Sequence, residues 1–212
     1  MRTRIVTISH AWGAGGAIVG RGVADRLGFR YIDEEIIALA ADKEGLDPAI
    51  VADAEQRKTF LDRIVDGLGE GPVLDAAGTG GIFVPDAIRR TTPGDVRALI
   101  IEAIQETAQR GDVVIVSHTA SIPLAGRDDL LRVFVTASVE TRVARIAERR
   151  DGDQHAAAKF IKQSDTARAY YFQLFYEIDL ELPTHYDLVV NTDALTLEES
   201  ADIVVAAARR RA

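Results

Sequence analysis

The opening stretch of the chain most constrains its fold, because it reads as a strand, a glycine-rich turn and a helix in direct succession. Residues 4–9 are rich in β-branched side chains and predict a buried strand. Residues 17–27 place apolar side chains at helical spacing, and Gly28 is a natural residue to end that helix. Backbone N–H groups converge where a glycine turn meets a helix. The stretch therefore predicts a phosphate-binding turn formed by Gly13, Ala14, Gly15, Gly16 and Ala17.

This turn lacks the two side chains that normally complete a phosphate-binding loop. In the pattern G-x-x-x-x-G-K-[ST], a lysine and a hydroxyl residue follow the second glycine, and here Gly16 and Ala17 stand in those positions. The N–H groups and the helix dipole can still hold an anion without them. A tight strand-to-helix turn that needs glycine only for its positive φ is the alternative. The dinucleotide pattern G-x-G-x-x-G fits Gly13, Gly15 and Gly20 only if its spacing is stretched.

Two later segments, residues 112–117 and 131–136, are nearly continuous runs of β-branched and aromatic side chains. Strands of this kind, separated by helical segments, are typical of a parallel sheet that is covered on both faces. Shorter strands are predicted at residues 29–33 and 186–191, which gives five parallel strands with helical crossovers. In an open sheet of this type the ligand site lies at the carboxyl ends of the strands.

Helical spacing of apolar residues predicts the remaining elements. They are helices over residues 34–42, 47–55, 57–68, 94–110, 139–150, 154–176 and 196–209. Residues 69–93 combine many glycines and prolines with short apolar clusters. Two interpretations stay open for this segment: a linker, or a mobile loop that covers a substrate.

Composition narrows the class of protein. A length of 212 residues suits one domain with an inserted helical region. The net charge of −8 argues against a nucleic-acid partner, and no apolar run is long enough to predict a membrane span. The absence of cysteine excludes disulfides and thiolate metal sites, and it leads us to expect a cytoplasmic protein. The four histidines show no ligand spacing, so we expect no transition-metal site.

Four sequence blocks occur in a characteristic order. The first has the pattern ISxxxGxGGxxxGRxxADxLGFxYxD and begins at Ile8. The others are LRVFVTASVETRVARI from Leu131, DTARAYYFQLFY from Asp165 and YDLVVNTDALTLEES from Tyr186. Together they resemble the cytidylate-kinase-like family, a divergent branch of the P-loop nucleoside monophosphate kinases. The resemblance spans nearly the whole chain and is vague only over residues 44–111.

This resemblance implies a P-loop NTPase-type three-layer α/β sandwich, with a five-stranded parallel sheet, helices on both faces and a helical lid. It implies a single domain over residues 1–212. The implied parts are a core (1–43, 94–147 and 183–212), an acceptor-binding excursion (about 44–93) and a lid (about 148–182). It further implies an ATP-dependent kinase that phosphorylates CMP, dCMP or another small phosphorylated acceptor, with Mg²⁺ brought by the nucleotide.

The resemblance also implies roles for arginines of the lid, which reach the phosphates in such kinases. The matching residues are Arg149, Arg150 and Arg168. Arg168 is the favoured catalytic residue and Arg149 the second, because the block that begins at Asp165 corresponds to the acidic and basic signature of the lid. Ser164 is a departure, since true cytidylate kinases have arginine there.

The acceptor is expected to contact Asp33, Arg89 and His118, with Arg90 beside the second of these. His118 and the preceding Ser117 depart from the glycine and arginine to which the resemblance leads. Structural roles are the alternative for these side chains: Asp33 can cap the helix that follows it, and His118 can be a neutral capping residue.

Other charged residues have equally ordinary interpretations. Arg21 can supply a cation to the turn or can instead pack on the sheet. Arg142, Arg145 and Arg149 are interpreted as a solvated helix face whose charges pair with nearby glutamates.

The aromatic run of the 154–176 helix, which contains Tyr170, Tyr171, Phe172, Phe175 and Tyr176, can stack a base. Its spacing is more typical of packing onto the core or onto a second subunit, which makes a homodimer through this helix a hypothesis. Two functions stay open for the whole chain: a nucleotide kinase, and a catalytically silent relative that binds a nucleotide or another phosphorylated ligand.

Overall fold

A computed structural model describes residues 2–33, 35–43, 93–116, 119–149, 152–179 and 181–210 of the chain. The chain divides into two compact units, Met1–Asp33 with Ile104–Ala212, and Glu34–Ala103. The described helices are α1 (Gly16–Leu27), α2 (Glu35–Lys43), α3 (Pro93–Gln109), α4 (Val139–Glu148), α5 (Gln154–Tyr176) and α6 (Leu197–Arg210). A short 3₁₀ helix, Pro183–His185, follows α5.

The first unit contains a five-stranded parallel sheet, as predicted. Its strands are β1 (Ile5–His10), β2 (Arg30–Ile32), β3 (Val113–Val116), β4 (Leu130–Thr136) and β5 (Leu188–Asn191). Their spatial order is β2-β3-β1-β4-β5, and all pairs are parallel. Strand β1 is central, so its carboxyl end lies at the point where the order of strands reverses. Ligand sites of open parallel sheets form at such a point.

Both faces of the sheet are buried, which agrees with the continuous apolar strands of the sequence. One face belongs to a cluster that joins β1, α1 and α6 and includes Val6, Ile8, Val19, Val23 and Val204. Strand residues that alternate with these, such as Ile5, Val113 and Ile115, are also fully buried. The prediction of a sheet covered on both sides is therefore confirmed.

Most boundaries lie within two residues of their predicted positions. Gly28 ends α1 in the left-handed region with φ 68°, and its N–H donates to carbonyls of the last turn. The last strand begins at Leu188 rather than Tyr186, because Asp187 is used in a side-chain interaction. Its carboxylate accepts hydrogen bonds from the backbone N–H and the guanidinium of Arg132.

The second unit is described only at its two ends. There Lys43 and Glu102 form an ion pair with 2.9 Å between Nζ and Oε1, and Ile36, Ala40 and Ile100 are buried. The helices predicted over 47–55 and 57–68, and the irregular segment 69–93, lie outside the described residues. The helices that are described include none with the length and hydropathy needed to cross a membrane.

Candidate functional site

The glycine turn joins the carboxyl end of β1 to the first residue of α1. Gly13 and Gly15 both have a positive φ, 83° and 85°, which disfavours any residue with a Cβ. The backbone of Arg142 also approaches Gly13 so closely that a Cβ there would lie 3.0 Å from its carbonyl oxygen. Gly15 occupies the cap position of α1 and makes no side-chain cap, so the first N–H groups of this helix have no intrahelical acceptor.

Side chains from later elements donate hydrogen bonds to three successive carbonyl groups of the turn. The oxygen of Trp12 accepts from Nη1 of Arg142 at 3.4 Å, and that of Gly13 from Nη1 of Arg145 at 3.3 Å. The oxygen of Ala14 accepts from the hydroxyl of Thr192 at 3.0 Å.

These contacts set the direction of the amides. In a trans peptide the C=O and the following N–H point in opposite directions, and the described residues contain no cis peptide bond. The N–H of Ala14 closes the turn on the carbonyl of Ala11 at 3.0 Å. The N–H groups of Gly13 and Gly15 therefore point away from the side chains that hold the Trp12 and Ala14 carbonyls. Backbone N–H groups arranged in this way at the start of a helix can hold an anion, and this turn is called the cradle below.

The interpretation of Arg142 and Arg145 as part of a solvated helix face is wrong. Arg142 is 5% exposed and makes a bidentate ion pair with Asp165 of α5, with both N–O distances at 2.8 Å. Arg145 donates to the hydroxyl and the carbonyl oxygen of Thr192 at 2.9 and 2.8 Å. The missed signal for Arg142 is its helical spacing with Ile146, which is buried on the same side of α4.

The two arginines differ in charge balance. The charge of Arg142 is offset by Asp165, whereas the acceptors recorded for Arg145 among the described residues are all neutral oxygens. Arg145 therefore places a positive charge beside the turn, and no carboxylate of the described residues forms an ion pair with it. This charge favours an anion on the cradle.

Arg168, the favoured catalytic residue, lies at the carboxyl end of β1. Its guanidinium pairs with both carboxylate oxygens of Glu181, at 2.7 and 2.6 Å. It also donates to the hydroxyl of Ser9 at 2.7 Å and to the carbonyl oxygen of His10 at 3.2 Å, and it lies over the ring of Phe172. The structure thus places Arg168 beside the turn but already engaged by a carboxylate.

Tyr186 completes this cluster. Its hydroxyl donates to Glu181 in a short hydrogen bond, and its ring stacks on Phe134 at 5.1 Å between centroids. Burial and then the Glu181 carboxylate raise the pKa of Tyr186 to about 12, so the phenol stays protonated. Burial opposes the charge of Arg168, but the hydrogen bonds and charge of Glu181 outweigh it and raise the Arg168 pKa above its ordinary value.

A cavity of about 210 Å³ lies next to Ala11 at this cluster. Its lining includes Phe134 and Phe172 together with the carboxylates of Asp165, Asp179 and Glu181 and the guanidinium of Arg168. Two of these carboxylates are charge-balanced, because Asp165 pairs with Arg142 and Glu181 pairs with Arg168.

The other predicted site residues are more dispersed. Arg149 is exposed at the C-cap of α4. Asp33 follows β2 and accepts a hydrogen bond from the hydroxyl of Tyr31 at 3.0 Å. Arg21 stacks on that same tyrosine ring at 4.4 Å from its centroid, which supports its packing role. Arg89 and His118 lie outside the described residues, as do Arg90, Arg150 and Ser117.

The aromatic run of α5 packs inside its own chain where its side chains are described. Phe172 is 2% exposed, and the hydroxyl of Tyr176 lies 2.9 Å from that of Thr119. The preference for core packing over base stacking is supported at these two positions. A homodimer through this helix stays a prediction.

The described residues do not fit a Mg²⁺ site held by the protein. Position 17 has alanine where the phosphate-loop pattern has its hydroxyl ligand. Within the described part of the chain, no group of three or more histidine, aspartate or glutamate side chains converges as metal ligands would.

The architecture and the turn define a P-loop α/β fold of the kind found in small-molecule kinases. A gluconokinase from Sinorhizobium meliloti 1021 has a TM-score of 0.52 at 17% identity, over 99% of this chain and 94% of that chain. An uncharacterized protein from Eubacterium ventriosum ATCC 27560 has a TM-score of 0.65 at 15% identity, over 97% and 98% of the two chains. These likenesses confirm the predicted fold.

The family follows from the sequence match. The model of the family described as "Cytidylate kinase-like family" matches residues 5–194, so the chain belongs to this family. The chain is 25% identical to a cytidylate kinase from Natronomonas pharaonis over 193 residues, which are 91% of this chain and 82% of that protein. It is 28% identical to one from Halobacterium salinarum over 202 residues, covering 95% and 87%. The resemblance read from the four sequence blocks is confirmed.

Proposed function

We propose that this protein is a nucleotide kinase that binds the phosphates of ATP on the glycine turn and transfers a phosphoryl group to a nucleoside monophosphate such as CMP or dCMP. The observation that carries this proposal is the set of three carbonyls held outward at Trp12, Gly13 and Ala14. It turns the intervening amides away from these contacts in the turn that precedes α1, and helix N-termini are places where phosphate oxygens bind. Relatives named cytidylate kinases support the reaction class and the acceptor.

In this mechanism the chain acts by positioning and by charge. The amides of the turn bind phosphate oxygens, and Arg145 contributes a positive charge from behind the turn. Any Mg²⁺ comes with the nucleotide. The sequence resemblance supports three further parts of this proposal. The acceptor contacts Asp33, Arg89 and His118. Residues of about 44–93 form the acceptor-binding excursion, and residues of about 148–182 form the lid.

A second candidate function is a catalytically silent relative that binds a nucleotide and serves as a sensor or partner protein. It is favoured by the absence of the lysine and hydroxyl at Gly16 and Ala17 and by the engagement of Arg168 with Glu181. Removal of such charge stabilisation raises a reaction barrier by about 3–4 kcal/mol unless another cation replaces it.

A direct binding test uses Trp12, the sole tryptophan of the chain, which lies in the turn and is 56% exposed. Titration of Mg-ATP should change its fluorescence with micromolar affinity, and a coupled assay of ADP release should show turnover with CMP or dCMP. Binding with no turnover on any common nucleoside monophosphate supports the silent relative. No binding contradicts both functions.

The role of Arg168 needs a variant that leaves no unpaired buried charge. In Arg168→Gln with Glu181→Gln, both charges are removed while hydrogen-bonding groups remain. If Arg168 acts on the transferred phosphate, turnover falls by about 10²-fold or more while ATP affinity and thermal stability change little. The matched control is Arg132→Gln with Asp187→Asn, which removes an ion pair of similar geometry elsewhere on the sheet. Equal turnover in both double variants would assign Arg168 a structural role.

A further inference from the structure

The space beside the first residue of α1 is filled from the end of β1. A Cβ built on Gly16 would lie 2.6 Å from Cδ2 of His10, and closer still to its Cβ and Cγ. In a close-packed protein no side chain at position 16 fits while the imidazole of His10 stays in place. The two positions are therefore coupled by packing.

The same two positions are linked in the phosphate-loop pattern. With Gly15 as the second glycine of G-x-x-x-x-G-K-[ST], the first glycine falls at position 10 and the lysine at position 16. This chain has histidine in place of that glycine and glycine in place of that lysine. The two departures are separated along the sequence but adjacent in space. The histidine at position 10 fills the volume that a side chain at position 16 would need.

The imidazole of His10 lies against Gly16, the first residue of α1, at the positive end of the helix dipole. Its Nδ1 is 3.3 Å from the carbonyl oxygen of Ala11 and donates to it in the matching tautomer, so Nε2 is the nitrogen that can gain a proton. Its neighbour across the sheet, Val135 of β4, is apolar.

Charged groups face His10 from two sides. Arg168 of α5, itself paired with Glu181, donates to the His10 carbonyl, and Asp33 lies beyond the end of β2. Burial lowers the pKa of His10 below its ordinary value of 6.5; the hydrogen bond with Ala11 opposes this, Arg168 adds to it, and Asp33 opposes it. Without a ligand the side chain is therefore neutral at pH 7.

We propose that His10 replaces the lysine as the phosphate-binding side chain of the turn. This inference rests on the proposed nucleotide binding and deepens it. A polyphosphate on the cradle brings negative charge beside the imidazole, Nε2 takes a proton from solvent, and the imidazolium holds the anion through a charge-assisted hydrogen bond. The cation exists only while the anion is bound, so the unliganded turn carries no buried unpaired charge at this position.

The first test is the pH dependence of ATP affinity in the full chain and in His10→Gln, followed by Trp12 fluorescence. Taking the ratio of the two dissociation constants removes the effect of the titration of ATP itself, because that effect is the same for both proteins. We expect this ratio to rise from near one at pH 8 to about tenfold at pH 6, because only the parent protein gains the charge. His155→Gln, a change at an exposed histidine of α5, is the matched control and should give a ratio near one throughout. A ratio for His10→Gln that does not change with pH overturns the inference.

The second test examines directly whether the side chains at positions 10 and 16 compete for the same volume. Gly16→Lys alone should lower the unfolding temperature and abolish ATP binding, because the lysine stem collides with the imidazole. His10→Gly combined with Gly16→Lys should recover the unfolding temperature and bind ATP at least about tenfold more tightly than either single variant. Gly16→Lys as stable as the parent, or a double variant no better than it, contradicts the exchange.

Failure of the proposed function and failure of this inference give different results. If the parent protein binds no ATP at any pH, the proposed function and this inference both fail. If the parent binds ATP but the His10→Gln ratio is flat, only the inference fails. The unfolding temperatures of the exchange variants need no ligand, so they test the packing of positions 10 and 16 in either case.

Discussion

A single hydroxyl, that of Thr192, holds the third carbonyl of the turn and also receives the guanidinium of Arg145. The Thr192 residue is 1% exposed, so loss of its hydroxyl removes the donor to the Ala14 carbonyl and one of the acceptors of Arg145. We expect Thr192→Val to lower the free energy of unfolding by about 1–3 kcal/mol. ATP affinity should fall by about tenfold, because the amides of the turn lose their fixed direction.

Thr192→Ser is the matched control, since it keeps the hydroxyl and removes only a methyl group. Denaturant unfolding and fluorescence titration should place it near the parent protein in both measurements. An unfolding loss in Thr192→Val with no loss of affinity would mean that the contact stabilises the fold without shaping the cradle.

His10 also predicts how stability changes with pH in the absence of a ligand. Its pKa in the folded protein is lowered by burial, so between that value and 6.5 the unfolded chain binds more protons than the folded one. The stability linked to neutral His10 is thus fully present above about pH 6.5 and is lost as the pH falls through the folded value. We expect denaturant unfolding to show a smaller stability loss from pH 7.5 to 5.5 in His10→Gln than in the parent. An identical loss would contradict the neutral, buried state of this histidine.

The residue scale is also where the sequence was least informative. The glycines, their order and the missing lysine were readable because backbone conformation and motif spacing are local properties. The roles of Arg142, Arg145 and Thr192 were not, because each depends on a contact with the turn across more than a hundred positions. A local rule pairs these arginines with glutamates of their own helix, and the fold overrides it.

At the level of elements, helices α4 and α5 are joined by the Arg142–Asp165 pair, which also fixes the carbonyl of Trp12. Asp165→Asn should leave a buried guanidinium without its counter-charge. Because the Asp165 side chain is 41% exposed, we expect a loss of about 2 kcal/mol, below the 3–5 kcal/mol of a fully buried pair.

Adding Arg142→Met to this variant removes the stranded charge and should recover most of the unfolding free energy. ATP affinity should fall in the double variant, because the Trp12 carbonyl loses its donor when Arg142 is replaced. Recovery of the unfolding free energy with parental ATP affinity would show that the pair joins the helices without shaping the turn. Chemical denaturation and fluorescence titration of the three proteins separate these outcomes.

The elements themselves were largely predictable. Five strands and six of the predicted helices match the described structure, because continuous apolar runs and helical spacing report burial directly. The ends of elements differ from their predicted positions where a side chain accepts a backbone hydrogen bond, as the Asp187 carboxylate does before β5. The helices predicted over 47–55 and 57–68 stay predictions.

For the whole molecule, the spatial order β2-β3-β1-β4-β5 brings the first strand to the centre and the last helix against the first. The parallel arrangement and the covering of both faces followed from the sequence pattern. The ligand site at the carboxyl ends of the strands also followed from this pattern, whereas the order of the strands depends on tertiary contacts and was not predicted.

The contact between Thr192 and Ala14 spans 178 positions. A ribosome adding roughly 5–20 residues per second completes the turn and α1 early but makes the residue that anchors them about 9–36 s later. Throughout that interval the nascent chain carries a phosphate turn whose carbonyls are not yet held. If the turn binds nucleotide as proposed, we expect the ligand to stabilise the chain through this site only after Thr192 has been made.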